Sequence, residues 1–88
     1  MRMIESTPLF RRDFKRLRHS KDLELVDEII CLLANDKELP SSVRDHALKG
    51  ELAGYRECHI KPDMLLIYEK VEDILRLARI GSHSHLFG

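Results

Sequence analysis

Met64-Leu65-Leu66-Ile67-Tyr68 is apolar at every position. A strand has two faces and side chains alternate between them, so an unbroken apolar run predicts a central strand covered on both sides. Upstream, Lys61-Pro62-Asp63 reads as a turn, and before it Tyr55–Ile60 alternates. Tyr55, Glu57 and His59 are expected on one face, with Arg56, Cys58 and Ile60 on the other. Downstream, Val71-Glu72-Asp73 turns again, Ile74–Ile80 forms the last strand, and Gly81 ends it. Connections this short imply antiparallel hairpins.

Further out, His46–Lys49 is expected as a short strand or loop closed by Gly50, with a turn over Glu51–Gly54. The N-terminal half changes period. Arg2–Glu5 suits a short strand. Thr7 followed by Pro8 predicts a helix start, with Pro8 at the first helical position. That helix is expected to run to about Arg18, with Phe10, Phe14 and Leu17 on one face. After His19, Ser20 is suited to cap a second helix in which Leu23, Val26, Ile30 and Leu33 recur, with Ile29 alongside; Asn35-Asp36-Lys37 ends it. The expected fold class is α+β: an N-terminal strand and an antiparallel helical hairpin packed on a twisted, mainly antiparallel sheet.

Eighty-eight residues suit one domain spanning the chain. No apolar run approaches the ~20 residues of a membrane span, and the start lacks the layout of a signal peptide, so a cytoplasmic location is expected. Cys31 and Cys58 lack CxxC spacing and are expected to be reduced and buried. The net charge of zero hides an uneven distribution. Residues 1–21 carry seven Lys and Arg against two Asp and Glu, and residues 22–45 reverse this with two against seven. A basic segment is followed by an acidic one.

Three short stretches then carry the chemistry: Asp45-His46-Ala47-Leu48-Lys49-Gly50, His59-Ile60-Lys61-Pro62-Asp63 and Gly81-Ser82-His83-Ser84-His85-Leu86-Phe87. Each places a histidine at or near an element end, where sites are commonly built. Two chemistries suit His46, His59, Asp63 and His83. One is an open set of nitrogen and oxygen metal ligands, which neither HExxH nor paired cysteines support. The other is metal-free RNA cleavage, in which a base takes the proton of a ribose 2′-hydroxyl, the oxygen attacks phosphorus, and an acid protonates the leaving 5′-oxygen. Imidazole can serve either way near neutral pH. Lys49, Arg56 and Arg79 are the nearby candidate cations, and Phe87 either packs on the body or stacks on a base. His19 and His85 are expected to be solvated.

These stretches, together with Tyr55-Arg56-Glu57-Cys58, Leu65-Leu66-Ile67-Tyr68 and Leu77-Ala78-Arg79-Ile80, resemble the YafQ branch of the RelE/ParE-type bacterial toxins. The resemblance spans nearly the whole chain and is strongest after residue 45. It implies a RelE-like fold and a type II toxin: a ribosome-dependent mRNA endonuclease without a cofactor, neutralised by a cognate antitoxin. It implies His83 as the principal acid–base residue, with His46 and His59 sharing proton transfer or holding phosphate. Asp63 is implied to orient a histidine or act as base, Phe87 to position the mRNA base, and Arg79 to meet the phosphate. His85 departs from the pattern, since relatives often carry an acidic residue there. Arg11, Arg12, Lys15 and Arg16 are expected to contact rRNA. The alternative is a ParE-like chain that inhibits a protein such as gyrase and cuts nothing, because the two types share a fold.

Overall fold

Thr7 and Pro8 start the first helix as their chemistry requires. In the computed structural model, which describes residues 1–88, Thr7 is extended and its side chain accepts the Phe10 N–H at 3.0 Å, while Pro8 opens the helix. The elements in chain order are β1 (Met3–Ser6), α1 (Pro8–Phe14), α2 (Ser20–Ala34), β2 (His46–Ala47), β3 (Arg56–Lys61), β4 (Met64–Val71), β5 (Ile74–Gly81) and α3 (His83–Phe87), with short 3-10 turns at Ser41–Val43 and Gly50–Leu52. No helix is long and apolar enough to cross a membrane.

The five strands form one sheet in the order β1-β5-β4-β3-β2. β4 is central, and all of Met64–Tyr68 is buried, as an apolar run on both faces demands. The pairs β2–β3, β3–β4 and β4–β5 are antiparallel, while β1 lies parallel to β5, with Met3 opposite Ile74 and Ser6 opposite Leu77. That parallel pairing has no local signal. It follows from the two helices carrying the chain over the sheet between β1 and the later strands.

The core lies on the helix side. Phe10 from α1 and Val26, Ile29 and Leu33 from α2 pack with Cys58, Leu66, Tyr68, Leu77 and Ile80. Phe14 and Leu17 pack against the same cluster. α1 ends at Phe14, four residues before the expected Arg18. The Arg16 and Leu17 N–H groups turn to the Asp13 and Phe14 carbonyls, three residues back, and this tightening closes the helix. Lys15 and Arg16 therefore lie in a turn. Ser20 opens α2 rather than capping it: the cap position falls to His19, which makes no side-chain bond. Cys58 is buried as expected, but Cys31 is exposed on α2, because its position falls off the apolar stripe. Burial, with the nearby Asp45 and Glu57 charges, pushes the Cys58 thiol up to about 12, which makes it chemically inert.

Candidate active site

The alternation along β3 puts Glu57 and His59 on the face away from the helices, and the β2–β3 register sets His46 opposite Glu57. Glu57 is only 7% exposed. Its carboxylate stands between two imidazoles, 3.6 Å from His46 Nε2 and 3.3 Å from His59 Nε2, and the two rings lie 6.3 Å apart. His46 Nδ1 is 2.8 Å from the Arg44 carbonyl oxygen. A carbonyl only accepts, so Nδ1 carries a hydrogen and the neutral ring leaves Nε2 free to take a proton beside Glu57.

β2 is held in place from behind. Asp45 precedes His46 and points to the other face, where it accepts from Arg56 at 2.9 and 3.2 Å and from the Tyr68 hydroxyl. Burial and the Asp45 carboxylate both push the Tyr68 hydroxyl pKa up. Removing that hydroxyl leaves Asp45 with one partner. Tyr68→Phe is expected to cost about 1–2 kcal/mol of folding free energy, checked by urea unfolding. A cost below about 0.3 kcal/mol would show that the bond contributes nothing.

The third stretch forms an element that the strand reading missed. Gly81-Ser82-His83-Ser84-His85-Leu86-Phe87 leaves β5 and winds into α3, with Ser82 as its cap; the Ser82 side chain accepts the His85 N–H at 3.1 Å. Asp63, at the tip of the β3–β4 turn, accepts the His83 N–H at 3.2 Å and ties the turn to this helix. Residues four apart on a helix share a side, and the His83 and Phe87 rings lie 5.1 Å apart. The ladder sets His59, Leu65 and Gly81 side by side across β3, β4 and β5, with His83 two residues further on. Phe87 also lines a groove of about 550 Å³ with Leu86, Tyr55, Leu52, Ile67 and Arg79. The helix thus sets Phe87 beside His83, with 41% of the residue exposed.

Arg79 lines that groove, but its guanidinium is already engaged. Nε and Nη2 donate to the two oxygens of Asp13 at 2.7 and 3.1 Å, which leaves Nη1 without a protein partner. Asp13 is 3% exposed. Burial pushes its carboxyl up, but hydrogen bonds from Arg79, His85 and the Ile80 N–H, with the Arg79 charge, outweigh burial and bring the pKa from 3.8 down to about 2. Folding thus favours the ionised form. Its contribution is full above about pH 4 and is lost as the pH falls toward 2, about 2 kcal/mol in all. Denaturant unfolding is expected to weaken by at least that amount between about pH 4 and pH 2, and Asp13→Asn to remove the Asp13 share, leaving that of Asp36, which Lys70 and Arg2 also hold at about 2. An equal slope in the variant would reassign the acid sensitivity.

Not every predicted residue joins the site. Arg56 lies on the helix side of the sheet, bound to Asp45, because it alternates with Glu57. Lys49 is exposed just after β2. His19 is exposed at the start of α2. Among the basic residues of the first segment, Arg12 and Lys15 are exposed, Arg11 folds back onto the Ser6 carbonyl at 2.6 Å, and Arg16 reaches the His85 ring. No three of His, Cys, Asp or Glu converge as a ligand shell would. Glu57, Asp13 and His85 were not predicted. Glu57 was readable from its shared face with His59; the other two had no local signal.

Residues 2–88 match the family described as bacterial toxin of type II toxin–antitoxin system, YafQ. The mRNA interferase toxin YafQ of Escherichia coli K12 is 39% identical over 90 residues, covering 99% of this chain and 97% of that protein. The crystal structure of YafQ from E. coli BL21(DE3) is similar over the full length of both chains, with a TM-score of 0.90 and 34% identity. A chain of the E. coli DinJ–YafQ complex is similar over the same extent, with a TM-score of 0.85 and 35% identity.

Proposed function

The chain belongs to the YafQ family of type II toxins, and from that premise we propose that its histidine-bearing sheet face and α3 cut mRNA. It is a type II toxin–antitoxin toxin with mRNA interferase activity, and its protein partner is an antitoxin. The observation that carries the site assignment is the His83–Phe87 pair, with rings 5.1 Å apart and Phe87 lining an apolar groove: one ring that moves protons beside one that stacks on a base.

In this reading Phe87 packs against a base and brings the adjoining ribose and phosphate beside His83. A base removes the 2′-hydroxyl proton, the oxygen attacks phosphorus, and an acid protonates the leaving 5′-oxygen, with no metal in the cycle. His83 is the principal acid–base residue. His46 is suited to accept a proton because only its Nε2 is free. His59 shares the transfer or holds phosphate, and Glu57 balances charge between the two rings. Asp63 positions His83 through its main-chain N–H. Arg79 offers the unused Nη1 to the phosphate, and Lys49 is an exposed cation just after β2. Arg56 acts at a distance, by holding Asp45 and β2.

Cleavage takes place on the ribosome, in the cytoplasm. Arg12 on α1 and Lys15 in the turn after it, both exposed, meet rRNA phosphates together with Arg11 and Arg16. Replacing both Arg12 and Lys15 by alanine is expected to lower the salt dependence of ribosome binding by roughly one unit of log–log slope per lost contact, read from binding titrations at several salt concentrations. An unchanged slope would remove this surface from the interface. The activity itself is tested by primer extension on cellular mRNA after induction. Discrete codon-linked cuts support the assignment. Intact mRNA together with gyrase inhibition would replace it with the ParE-like alternative.

A further inference from the structure

We propose that Asp13 and His85 are positioning residues, which together set the place of α3 and so of His83 and Phe87; this rests on the proposed site. β1 pairs with β5 only as far as Leu77, so the edge of β5 beyond that point has no strand beside it. α1 takes over the work. Thr7 at its start donates to the Ala78 carbonyl at 2.7 Å, and Asp13 near its end accepts the Ile80 N–H at 3.2 Å. The Asp13 carboxylate is thereby fixed at the strand edge, and its remaining capacity is shared between two groups that define the site's C-terminal wall. Arg79 of β5 takes both oxygens, and His85 Nε2 of α3 lies 2.9 Å from Oδ1.

His85 is held on its other sides too. Arg16 Nη1 lies 3.2 Å from its Nδ1 and 3.3 Å from its Nε2, so the guanidinium sits over the ring face. The Asp13 carboxylate only accepts, so a ring with its hydrogen on Nε2 donates to it, while Arg16 covers the ring face. The same ring lies against Gly81, where an added Cβ would sit 2.8 Å from His85 Cδ2. The strand end leaves room for this ring only because residue 81 lacks a side chain. His85 falls two residues after His83 and two before Phe87, in a helix of five residues. A helix that short does not hold itself together in water. Its placement comes from its anchors, which are Asp63 at the His83 N–H, the Ser82 cap, and the chain Arg16–His85–Asp13.

The test compares two substitutions at His85. Glutamine can place an amide N–H where His85 Nε2 stands and keep the bond to Asp13; alanine cannot. Single-turnover and steady-state cleavage of ribosome-bound mRNA are measured for both, with the ring resonances of His83 and Phe87 recorded by NMR. For H85A, kcat is expected to fall at least about tenfold while KM changes less than about twofold, and H85Q is expected to restore most of the loss. Both ring resonances shift in H85A and stay near their original places in H85Q. A kcat for H85A within about twofold of the parent, or an equal fall in both variants, overturns the proposal, as do ring resonances that do not move in H85A. If the parent chain itself cuts no mRNA while the resonances respond as expected, the proposed activity fails and the positioning role stands.

Discussion

His83→Ala is expected to lower mRNA cleavage by about 10²–10⁴-fold, the usual contribution of a positioned acid–base group. The structure separates this loss from damage to the fold. His83 is exposed, its side chain meets only the Phe87 ring among aromatic partners, and the bond to Asp63 is made by its main-chain N–H, which alanine retains. Alanine is also the better helix former, so α3 persists. Growth arrest on expression should disappear while antitoxin binding and the thermal midpoint stay close to the parent. Undiminished toxicity would remove His83 from the catalytic role. Loss of antitoxin binding together with toxicity would show that the substitution acts through the fold.

Leu66→Ala is expected to remove about 3–5 kcal/mol, transfer and cavity costs together. Leu66 is 0% exposed on the central strand, paired with Cys58 on one side and Ile80 on the other, beneath the helices. A chain of this size has about 4–13 kcal/mol of stability in total, so a single truncation consumes a large share of it. Urea unfolding should show a midpoint moved strongly downward with an unchanged slope. A loss under about 1 kcal/mol would mean the core collapses around the gap or does not centre on β4. The two substitutions are expected to behave oppositely: the first keeps the stability and loses the chemistry, the second loses activity only as far as it lowers the folded fraction.

The sequence was most legible where a side chain's role depends on its neighbours in the chain. Thr7 and Pro8 foretold the helix start, and the period-two pattern over Tyr55–Ile60 placed Glu57 and His59 together. It was less legible at the ends of elements. α1 was read four residues too long because Phe14 and Leu17 continue its apolar stripe, although Leu17 reaches the core from a turn. Beyond Gly81 the sequence carries no helix signal, because the five residues of α3 are too few for a period to emerge. Arg56 looked like a free cation near the histidines, yet the same alternation that joins Glu57 to His59 sends Arg56 to the opposite face.

His85 is the clearest case of a residue whose meaning lies outside its neighbourhood. In sequence it is a second histidine near a chain end. In space it meets a buried carboxylate 72 positions away, and that carboxylate meets Arg79 across 66. The sequence by itself determined the central strand, the start of α1, the residue types of the proposed site and the family. Tertiary structure alone decided that β1 lies parallel to β5, that Asp13 fills the strand edge beyond β1, that Glu57 stands between two imidazoles, and that α3 exists as an anchored turn. The reason is physical. Periodicity and capping express contacts within about one helical turn, whereas the partner of a buried charge is chosen by which distant elements pack together, and an unpaired charge there would be costly to bury.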